Sequence, residues 1–433
     1  MISRNQQLLT TDHWPLATDS DSCSIDGRDI ESIDDWASIL RSGRLSSVNG
    51  AFALAWQEPD GAVALARDAI GERSLFYSQV EGRLVFGSTI KDVLETGLVP
   101  RKLNLAAAAA YLVYAYIPGR ETLVEGICKL LPGEIVCLRD GEMERSALWS
   151  LPPEPGAEDG QGEERLCYEL RRRLERAVTR RLPRAEPVGA FLSGGLDSSL
   201  VVALARQLHT DRVFTYSISF GEGYANELPF SSMVAAHCRT EHRVVELSPE
   251  AVLDHLDDTI ALLNDPIGDP LTVPNYLLFR EAASEVGVVL NGEGGDPCFG
   301  GPKNLPMLLA ELLGDGATSD REDAYSRERS YLRAHQKCYD DLSAMLANDV
   351  REAIAGERLE RQITPYFEDP RWPGFVTKLM AINVIFKGAH HILPKVASLS
   401  AAAGVAARSP LFDREIVEMA FRIPPQLKLR GSV

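Results

Sequence analysis

The sequence predicts an α/β protein in which a small α+β domain precedes a doubly wound parallel sheet. Three observations lead to this prediction. Short apolar runs separated by turn residues fill the first third of the chain, a Pro- and Gly-rich segment follows, and apolar runs then alternate with helix-length segments. The length of 433 residues suffices for two or three domains, and 45% hydrophobic with 25% charged residues is ordinary for a globular protein.

The first domain is predicted over residues 1–150 as an antiparallel meander with accompanying helices. Its apolar runs are separated by Pro-Asp-Gly, Ile-Gly-Glu-Arg and Glu-Gly turns, which are typical of hairpin connections. Two stretches, Asp35–Ser42 and Ala106–Tyr116, have helical character. The predicted strands are Ala51–Trp56, Ala62–Ala66, Leu75–Tyr77 and Leu84–Phe86.

The domain boundary is predicted at 151–163, LPPEPGAEDGQGE. This segment holds three prolines, three glycines and four acidic residues with only one large apolar residue, which is the composition of an exposed linker.

The second domain, 164–433, is predicted to contain the parallel sheet. It opens with an amphipathic helix over Glu164–Leu182, and a later helix has Ser248 as its N-cap with Pro249 at the first helical position. Residues 307–391 look mainly helical. The alternating elements are strands at Val188–Leu192, Val213–Phe220, Val244–Leu247 and Gly287–Leu290, and helices at Ser198–Leu208, Leu228–Cys238 and Pro274–Glu285.

Charge and cysteine usage exclude several classes of protein. The net charge of −17 argues against nucleic-acid and anionic-membrane partners, so an anionic ligand requires a local binding device. The seven cysteines are scattered without C-x-x-C spacing, which indicates free thiols in a reducing compartment. The first thirty residues lack a signal-peptide core, and no stretch reaches the roughly 18 apolar residues of a membrane span. We therefore expect a cytoplasmic protein.

The strongest motif is the segment 190–199, AFLSGGLDSS. An apolar strand ends at Leu192, two glycines allow a tight turn, and serine hydroxyls lie at the start of the next helix. Backbone amides, hydroxyls and the helix dipole together form a binding loop for pyrophosphate. A plain Gly-rich turn is the alternative, and the absence of G-K-[ST] separates the motif from a Walker A loop.

Two further segments are candidate binding elements, one directly after an apolar run and one directly before a predicted helix. The segment 290–301, LNGEGGDPCFGG, offers Glu293 and Asp296, and Asp197 with Asp296 suits Mg²⁺, which takes oxygen ligands; a solvated acidic turn is the alternative. The segment 264–274, NDPIGDPLTVP, fits a third binding element or merely a stiff loop.

In this order the motifs resemble the asparagine synthetase superfamily, which includes asparagine synthetases, β-lactam synthetases and lasso-peptide cyclases. The resemblance begins near Arg44 and continues to the end of the chain. It rests on RDAIGERSLFY (67–77), LVFGSTIKDVL (84–94), ETLVEGICKLLPGE (121–134), the segment 217–242, NDPIGDP (264–270), NGEGGDPCFGG (291–301) and the segment 407–431.

The resemblance implies a shortened glutaminase-like (Ntn-hydrolase-like) domain followed by an ATP-pyrophosphatase-type synthetase domain that uses ATP and Mg²⁺. It implies that Asp197 and Asp296 bind the metal and that Asp197, Glu293 and Lys395 are catalytic. The implied nucleotide-binding residues are Leu192, Ser193, Gly194, Gly195, Asp197, Ser198, Ser199, Ile218, Gly292 and Glu293, of which Leu192 and Ile218 contact adenosine.

The chain departs from this family at three places. Residue 2 is Ile2 where glutaminases carry the nucleophilic cysteine, Cys23 could replace it only after proteolysis, and the Asn-Gly-Glu segment that grips glutamine has no counterpart. Charged family positions fall on Ala397, Ser398 and Ala406. The chain stops at Val433, before the family's charge-stabilising lysine, and Lys395 and Lys428 are its nearest substitutes.

The prediction is an AMP-forming amide ligase that adenylates a small-molecule or peptide carboxylate and couples it to an amine without hydrolysing glutamine. Ring closure, as in lasso-peptide or β-lactam cyclases, suits this chemistry. Three alternatives stay open: an asparagine synthetase, a non-catalytic ATP-binding regulatory or scaffold protein, and a tRNA-modifying pyrophosphatase, which the missing basic patches disfavour. The expectation excludes nucleic-acid and membrane partners and leaves a homodimer open.

Overall fold

The computed structural model describes residues 7–8, 23–26, 28–156, 162–221, 223–224, 227–301, 325–335 and 338–428. Part of the predicted helical region, 307–324, lies outside these residues, as do 157–161 of the predicted linker.

The amino-terminal domain contains two antiparallel sheets that pack together, and a short two-stranded sheet formed by Ser24–Ile25 and Arg28–Asp29. Of the two packed sheets, the larger has the order β1-β4-β5-β9-β10 and the smaller β7-β6-β8. The predicted Glu81-Gly82 turn joins β6 and β7, and a hairpin turn that was not predicted, Asp140-Gly141, joins β9 and β10. All four residues are in the left-handed region, which matches the twist of two-residue hairpins. The elements are β1 (Gln7–Leu8), β2 (Ser24–Ile25), β3 (Arg28–Asp29), α1 (Ile33–Arg41), β4 (Ala53–Gln57), β5 (Val63–Arg67), β6 (Phe76–Val80), β7 (Arg83–Gly87), α2 (Ile90–Glu95), α3 (Leu105–Tyr114), β8 (Cys128–Lys129), β9 (Glu134–Arg139) and β10 (Glu142–Ala147).

The second domain contains the predicted parallel sheet, and its strand order is β13-β12-β11-β14-β15. All four strand pairs are parallel. The elements up to β14 are α4 (Glu163–Arg181), β11 (Val188–Phe191), α5 (Leu196–Leu208), β12 (Val213–Ser219), α6 (Leu228–Cys238), β13 (Glu241–Glu246), α7 (Pro249–Asp254), α8 (Leu256–Ala261), α9 (Thr272–Ala282) and β14 (Val288–Leu290).

Helices cover both faces of this sheet, which confirms the doubly wound arrangement. On one face Val188, Ala190 and Leu290 pack with α4 and α5. On the other face Val289 packs with α9 and with the helix Leu393–Ala403. The central strands β11 and β14 are covered on both faces and need apolar side chains on each, which is why they are continuous apolar runs rather than alternating ones.

The carboxy-terminal region is helical between the sheet strands β14 and β15. Its elements are α10 (Gly295–Phe299), α11 (Ser326–His335), α12 (Leu342–Met345), α13 (Asn348–Ala353), α14 (Thr364–Glu368), α15 (Phe375–Ala381), a π-helix (Ile382–Ile392), α16 (Leu393–Ala403), β15 (Ala406–Arg408), α17 (Arg414–Arg422) and α18 (Pro425–Lys428). None of the helices in the described ranges is long and apolar enough to cross a membrane.

The start of the predicted linker is not exposed as its composition suggested. Leu151 is buried, the Trp372 indole donates to the Pro152 carbonyl at 2.9 Å, and the Gly374 amide donates to the Glu154 carboxylate at 3.0 Å. The second domain therefore holds residues 151–154. Composition alone could not show this, because the partners are distant in sequence.

The two domains share a buried ionic contact. Arg181 at the end of α4 donates to Asp413 at 2.5 Å and to Glu72 of the amino-terminal domain at 2.8 Å. Arg180 reaches both oxygens of Asp413 at 2.9 Å, and the Asn49 amide donates to the same carboxylate at 3.1 Å. Asp413 is completely buried, so each of its oxygens needs such donors.

Candidate active site

The strand order places two loops side by side at the carboxyl edge of the parallel sheet. β11 and β14 are neighbours, and the chain continues from β11 toward β12 on one side and from β14 toward β15 on the other. A crevice opens at such a switch point, and ligands of doubly wound sheets bind there. The two loops are the predicted motif segments, 192–199 and 291–301.

The first loop is closed by its own serine hydroxyls. The Ser193 amide donates to Ser198 Oγ at 3.2 Å, the Gly195 amide donates to Ser193 Oγ at 3.2 Å, and the two hydroxyls lie 3.0 Å apart. Ser198 is buried, whereas Ser193 is exposed. The loop is therefore preformed without any ligand, and its exposed side presents Ser193 and Gly195.

Helix α5 starts in this loop without a side-chain cap. Gly195 is its N-cap residue and has no side chain to accept from the first-turn amides. Amides left without intrahelical partners at a helix start, together with the helix dipole, favour a bound anion. A helix start of this kind can bind phosphate without net positive charge, so the predicted phosphate site is compatible with the acidic composition.

Gly194 lets helix α6 approach the loop closely. Its φ is +90°, and a Cβ there would lie 2.7 Å from both Phe230 Cβ and the Ser231 amide nitrogen. Only glycine satisfies both the backbone angle and this contact. The loop therefore packs directly against the first turn of α6.

Two glycines of the second loop bring it against the first. A Cβ on Gly292 would lie 2.8 Å from the Ser198 amide nitrogen, and a Cβ on Gly295 would lie 2.1 Å from Asp197 Cγ. The structure therefore brings Asp197, Glu293 and Asp296 into one site, which the order of the motifs had predicted only from the sheet edge.

The three carboxylates repel one another when no cation is present. Partial burial raises the pKa of Asp197, and the negative charges of Asp296 and Glu293 raise it further, while a hydrogen bond from the Asp296 backbone opposes them. A bound divalent cation would reverse this repulsion.

The donor set suits Mg²⁺ only together with a substrate. Within the described ranges, no group of three or more His, Cys, Asp or Glu side chains is arranged to hold a metal ion by itself. Mg²⁺ commonly takes one or two carboxylates and completes its shell with waters and phosphate oxygens. Asp197 and Asp296 fit that role, and their assignment as metal ligands stays a prediction.

Two buried polar atoms lie in the motif segments, one on the predicted residue Ser199 and one on Asn291, which sequence reasoning missed. Among the described residues, Asn291 Nδ2 and Ser199 Oγ are buried without a hydrogen-bond partner. The other side-chain atom of Asn291, Oδ1, accepts from the Glu293 amide at 3.1 Å, and the Asn291 amide donates to the Arg408 carbonyl at 3.1 Å. The N-G-E-G-G motif contained Asn291, but its orientation depends on β15, which is distant in sequence.

The predicted adenosine contacts lie at the ends of two adjacent strands. Leu192 is buried in the sheet core, and its carbonyl accepts from the Ser217 hydroxyl at 2.5 Å. Ile218, near the end of β12, is half-buried on the opposite face. Both positions border the carboxyl edge, and their contact with adenosine stays a prediction.

Lys395 makes its ion pair with Asp269, and its assignment as a catalytic residue stays a prediction. Its ammonium is buried and donates to Asp269 Oδ2 at 2.6 Å. No hydrogen bond or ion pair joins Lys395 to the two glycine loops in the part of the chain that the structure describes. The motif NDPIGDP supplies this partner, which the sequence did not reveal.

The arginines of α4 do not form a free basic surface. The helix carries seven arginines, of which six make ion pairs, and the seventh, Arg172, stacks over the Tyr168 ring at 5.9 Å. The paired arginines are Arg165, Arg171, Arg173, Arg176, Arg180 and Arg181. Their charge is therefore balanced within the protein.

Two protein-family models match the chain. The model described as asparagine synthase matches residues 169–433, and the one described as a glutamine amidotransferase domain matches residues 35–149.

Curated relatives are similar over most of the chain. It is 26% identical over 410 residues to a glutamine-hydrolyzing asparagine synthetase of Bacillus subtilis, a match that covers 89% of this chain and 64% of that protein. A putative asparagine synthetase of Methanocaldococcus jannaschii is 31% identical over 260 residues, covering 58% of this chain and 50% of that protein. An amidase of Gibberella zeae, chry2, is 24% identical with 89% and 65% coverage. The chain thus spans about two thirds or less of the length of these relatives.

Solved structures match more weakly. An NH3-dependent NAD synthetase from Campylobacter jejuni shares 15% identity at a TM-score of 0.24 and covers 47% of this chain and 97% of its own. A glutamine-dependent NAD+ synthetase from Acinetobacter baumannii shares 12% identity at a TM-score of 0.26, with 78% and 83% coverage. The fold assignment rests instead on the strand order and the parallel pairing described above.

Proposed function

Because the chain belongs to the asparagine synthase family, we propose that it is an ATP-dependent, AMP-forming amide ligase. It activates a substrate carboxylate as an acyl-adenylate and transfers the acyl group to an amine. The observation that supports this most directly is the contact between the two glycine loops, which brings an uncapped helix start and three carboxylates into one crevice.

In the first step the substrate carboxylate oxygen attacks the α-phosphorus of ATP, and the bond to the β-phosphate oxygen breaks. The leaving pyrophosphate carries negative charge, which the amides at the start of α5 and the Ser193 hydroxyl stabilise. Mg²⁺ held by Asp197 and Asp296 would supply charge neutralisation at the phosphates. The preformed hydrogen bonds of the loop keep these donors in place before ATP binds.

In the second step the amine nitrogen attacks the acyl carbon and AMP leaves. The amine must lose a proton, and Glu293 is the half-buried carboxylate beside the metal-binding pair that can accept it. The amide of Glu293 is fixed by Asn291 Oδ1 at 3.1 Å. This contact holds the backbone that carries the base.

The amine is proposed to come from the substrate or from solution rather than from glutamine. Three cysteines lie in the described part of the amino-terminal domain, and their environments oppose a reactive thiolate. Cys23 is buried and donates to the Ala51 carbonyl at 3.4 Å, and burial raises the pKa of both Cys128 and Cys137. An intramolecular amine would benefit from proximity, as in a cyclase.

The acid is proposed to be less charged than aspartate. Ala397, Ser398 and Ala406 stand where the resemblance expects charged side chains, and Lys395 is neutralised by Asp269. A site with fewer free charges favours a peptide or small-molecule acid that is recognised through shape and hydrogen bonds.

A second candidate is an asparagine synthetase that takes ammonia from glutamine, and the glutamine amidotransferase match over residues 35–149 favours it. One assay separates the two. Purified protein is incubated with Mg-ATP and a panel of acids, including aspartate and peptides, with ammonia, amines or glutamine, and both pyrophosphate and AMP are measured.

The proposal expects equal amounts of pyrophosphate and AMP with an acid and an amine, and no glutamate from added glutamine. Asp197→Asn serves as the inactive control. Pyrophosphate release that requires glutamine and produces glutamate would establish the second candidate instead. Binding of Mg-ATP without pyrophosphate release under any condition would refute ligase activity.

A further inference from the structure

The loop 264–270, with sequence NDPIGDP, lies at the same sheet edge as the candidate active site. It leads directly into helix α9, which packs against β12 and β14 on one face of the sheet. The function proposed above gives no role to the amino-terminal domain, which contacts this loop.

We propose that Lys129 of the amino-terminal domain is a positioning residue for the synthetase site, acting through the loop 264–270 on Asp269 and Lys395. The inference rests on the proposed function and gives the amino-terminal domain a role that needs no glutamine hydrolysis. It follows from three separate contacts between that domain and the segments that hold the Asp269–Lys395 pair.

The first contact is a buried ion pair. Lys129 on β8 is 6% exposed, and its ammonium donates to Asp265 Oδ2 at 2.8 Å and to the Ile117 carbonyl at 2.5 Å. Burial lowers the pKa of Lys129, and the nearby Asp265 carboxylate opposes this shift. Loss of one partner of a buried ion pair leaves the other charge unpaired away from water, which strongly destabilises the fold. The position of Asp265 therefore depends on Lys129.

The second contact joins the middle of the loop to the end of α3. The Gly268 amide donates to the Ala115 carbonyl at 2.7 Å. A Cβ on Gly268 would lie 3.2 Å from Ala115 Cβ and 3.3 Å from Tyr111 Oη. The loop is therefore held against the amino-terminal domain by its backbone as well as by Asp265.

The third contact is the stacking of Tyr116, in the amino-terminal domain, on His391, which lies beside Asp269. Asp269 Oδ2 lies 2.6 Å from Lys395 Nζ and 3.5 Å from His391 Nε2. The His391 ring stacks on the ring of Tyr116 with centroids 5.3 Å apart and planes 7° from parallel. Burial alone would raise the pKa of Asp269, but the nearby His391 ring and the Lys395 ammonium, which donates a hydrogen bond to this carboxylate, lower that pKa well below its usual range.

The amino-terminal domain thus touches both sides of the Asp269–Lys395 pair. Lys129 fixes Asp265 four residues before Asp269 on the loop, and Tyr116 packs on His391 four residues before Lys395. A shift of the loop would move Asp269 and release Lys395 at the edge where the acyl group is activated. Small displacements of that kind lower turnover strongly without removing any reacting group.

The first experiment measures hydrogen exchange in full-length Lys129→Met and wild type. We expect the amides of residues 264–272 and 391–398 to exchange at least about tenfold faster in the variant. Arg120→Met is the matched control, because Arg120 pairs with Glu134 at 2.6 Å wholly inside the amino-terminal domain. Unchanged exchange in Lys129→Met, or the same increase in Arg120→Met, would overturn the proposal.

The second experiment separates position from stability with the double variant Lys129→Met/Asp265→Leu. Replacing both charges by apolar side chains restores the free energy of unfolding but not the register of the loop. We expect kcat for pyrophosphate release to stay about tenfold to a hundredfold below wild type, with KM for ATP unchanged. Recovery of kcat together with stability would show that Lys129 is merely structural.

The two experiments keep this inference apart from the proposed function. If wild-type protein releases no pyrophosphate with any acid and amine, the ligase proposal fails, and the exchange rates alone decide whether Lys129 positions the loop.

Discussion

The backbone of Gly295 lies so close to Asp197 that a Cβ at Gly295 would be 2.1 Å from Asp197 Cγ and 2.2 Å from Asp197 Oδ2. The two residues belong to different motifs, on the loops after β14 and β11. The second loop therefore sets the position of a carboxylate that belongs to the first, and the two motifs act as a single site.

The first prediction concerns Gly295→Ala. The new methyl group collides with the carboxylate end of Asp197, which can rotate away, so we expect the fold to survive with a change in the free energy of unfolding of about 1 kcal/mol. The displaced carboxylate should no longer meet a Mg²⁺ ion at the phosphates. Pyrophosphate release should fall about a hundredfold, measured by steady-state kinetics.

Gly287→Ala is the matched control for this substitution. A Cβ on Gly287 meets only Glu186 Oε2, at 3.8 Å. Gly287 directly precedes β14, the strand that leads into the loop of Gly295. Its activity should stay close to wild type. Equal losses in the two variants would show that the effect comes from removing a glycine and not from the contact with Asp197.

The second prediction concerns metal dependence. Because the negative charges of Asp296 and Glu293 raise the pKa of Asp197 in addition to burial, the site is less favourable when empty than when a cation is bound. With Mg²⁺ and ATP at about a hundred times Kd, wild type should gain about 2.7 kcal/mol of stability. Thermal unfolding with and without EDTA measures this gain, and in Asp197→Asn and Asp296→Asn most of it should disappear. An undiminished gain in both variants would contradict the assignment of these ligands.

The sequence predicted the parallel sheet and the meeting of the two motif loops because both depend on local patterns. Apolar runs set the strands, and a glycine-rich segment after each of two runs marks the carboxyl edge. The N-cap at Ser248 was also predicted and is confirmed by a hydrogen bond from the Ala251 amide at 3.2 Å. Such signals need only a few neighbouring residues.

Contacts between residues distant in sequence could not be predicted in the same way. Lys395 carried a predicted catalytic role, and nothing near it in sequence indicated that Asp269 would neutralise it at 2.6 Å. Leu151 was expected in an exposed linker because prolines and acids surround it, yet it is buried in the second domain. Both outcomes depend on long-range packing, which composition and periodicity do not encode.

The third prediction concerns Gly194→Ala. At Gly194 the φ of +90° and the 2.7 Å approach to backbone and Cβ atoms of α6 both exclude a side chain. The backbone of α6 cannot rotate away from a new methyl group, whereas the Asp197 carboxylate beside Gly295 can. We therefore expect Gly194→Ala to lower the free energy of unfolding by about 2–4 kcal/mol and to weaken Mg-ATP binding. Chemical denaturation and calorimetry measure the two effects.

Gly82→Ala separates the two causes of that loss. Gly82 has a φ of +74°, but a Cβ added to it would meet no atom within 4 Å, so this variant reports backbone strain alone. A loss in Gly82→Ala as large as that in Gly194→Ala would mean that the contact with α6 contributes nothing.

The fourth prediction concerns Asp413→Asn. Asp413 is completely buried between Arg180 and Arg181, and asparagine keeps its shape and its capping of α17, where Asp413 accepts from the Glu415 amide at 2.9 Å. The substitution leaves the buried Arg181 short of a counter-charge, so we expect a loss of about 3–5 kcal/mol at pH 7. Asp29→Asn, which removes an exposed partner of Arg184 at 3.0 Å, is the control and should cost about 1 kcal/mol or less.

The pH dependence of this loss has a defined sign. Burial alone would raise the pKa of Asp413, but Arg181 and Arg180 lower it to about 2, below the value of about 3.9 expected in the unfolded chain. A carboxyl group with a lowered pKa stabilises the fold above the unfolded value, and this contribution is lost as the pH falls from about 4 through 2. The difference in unfolding free energy between wild type and Asp413→Asn should therefore shrink as the pH falls below about 4, measured by urea denaturation at each pH. A difference that stays unchanged below about pH 4 would show that Asp413 is already protonated in the native protein, and its contacts with Arg180 and Arg181 would then be hydrogen bonds from charged guanidinium groups to a neutral acid.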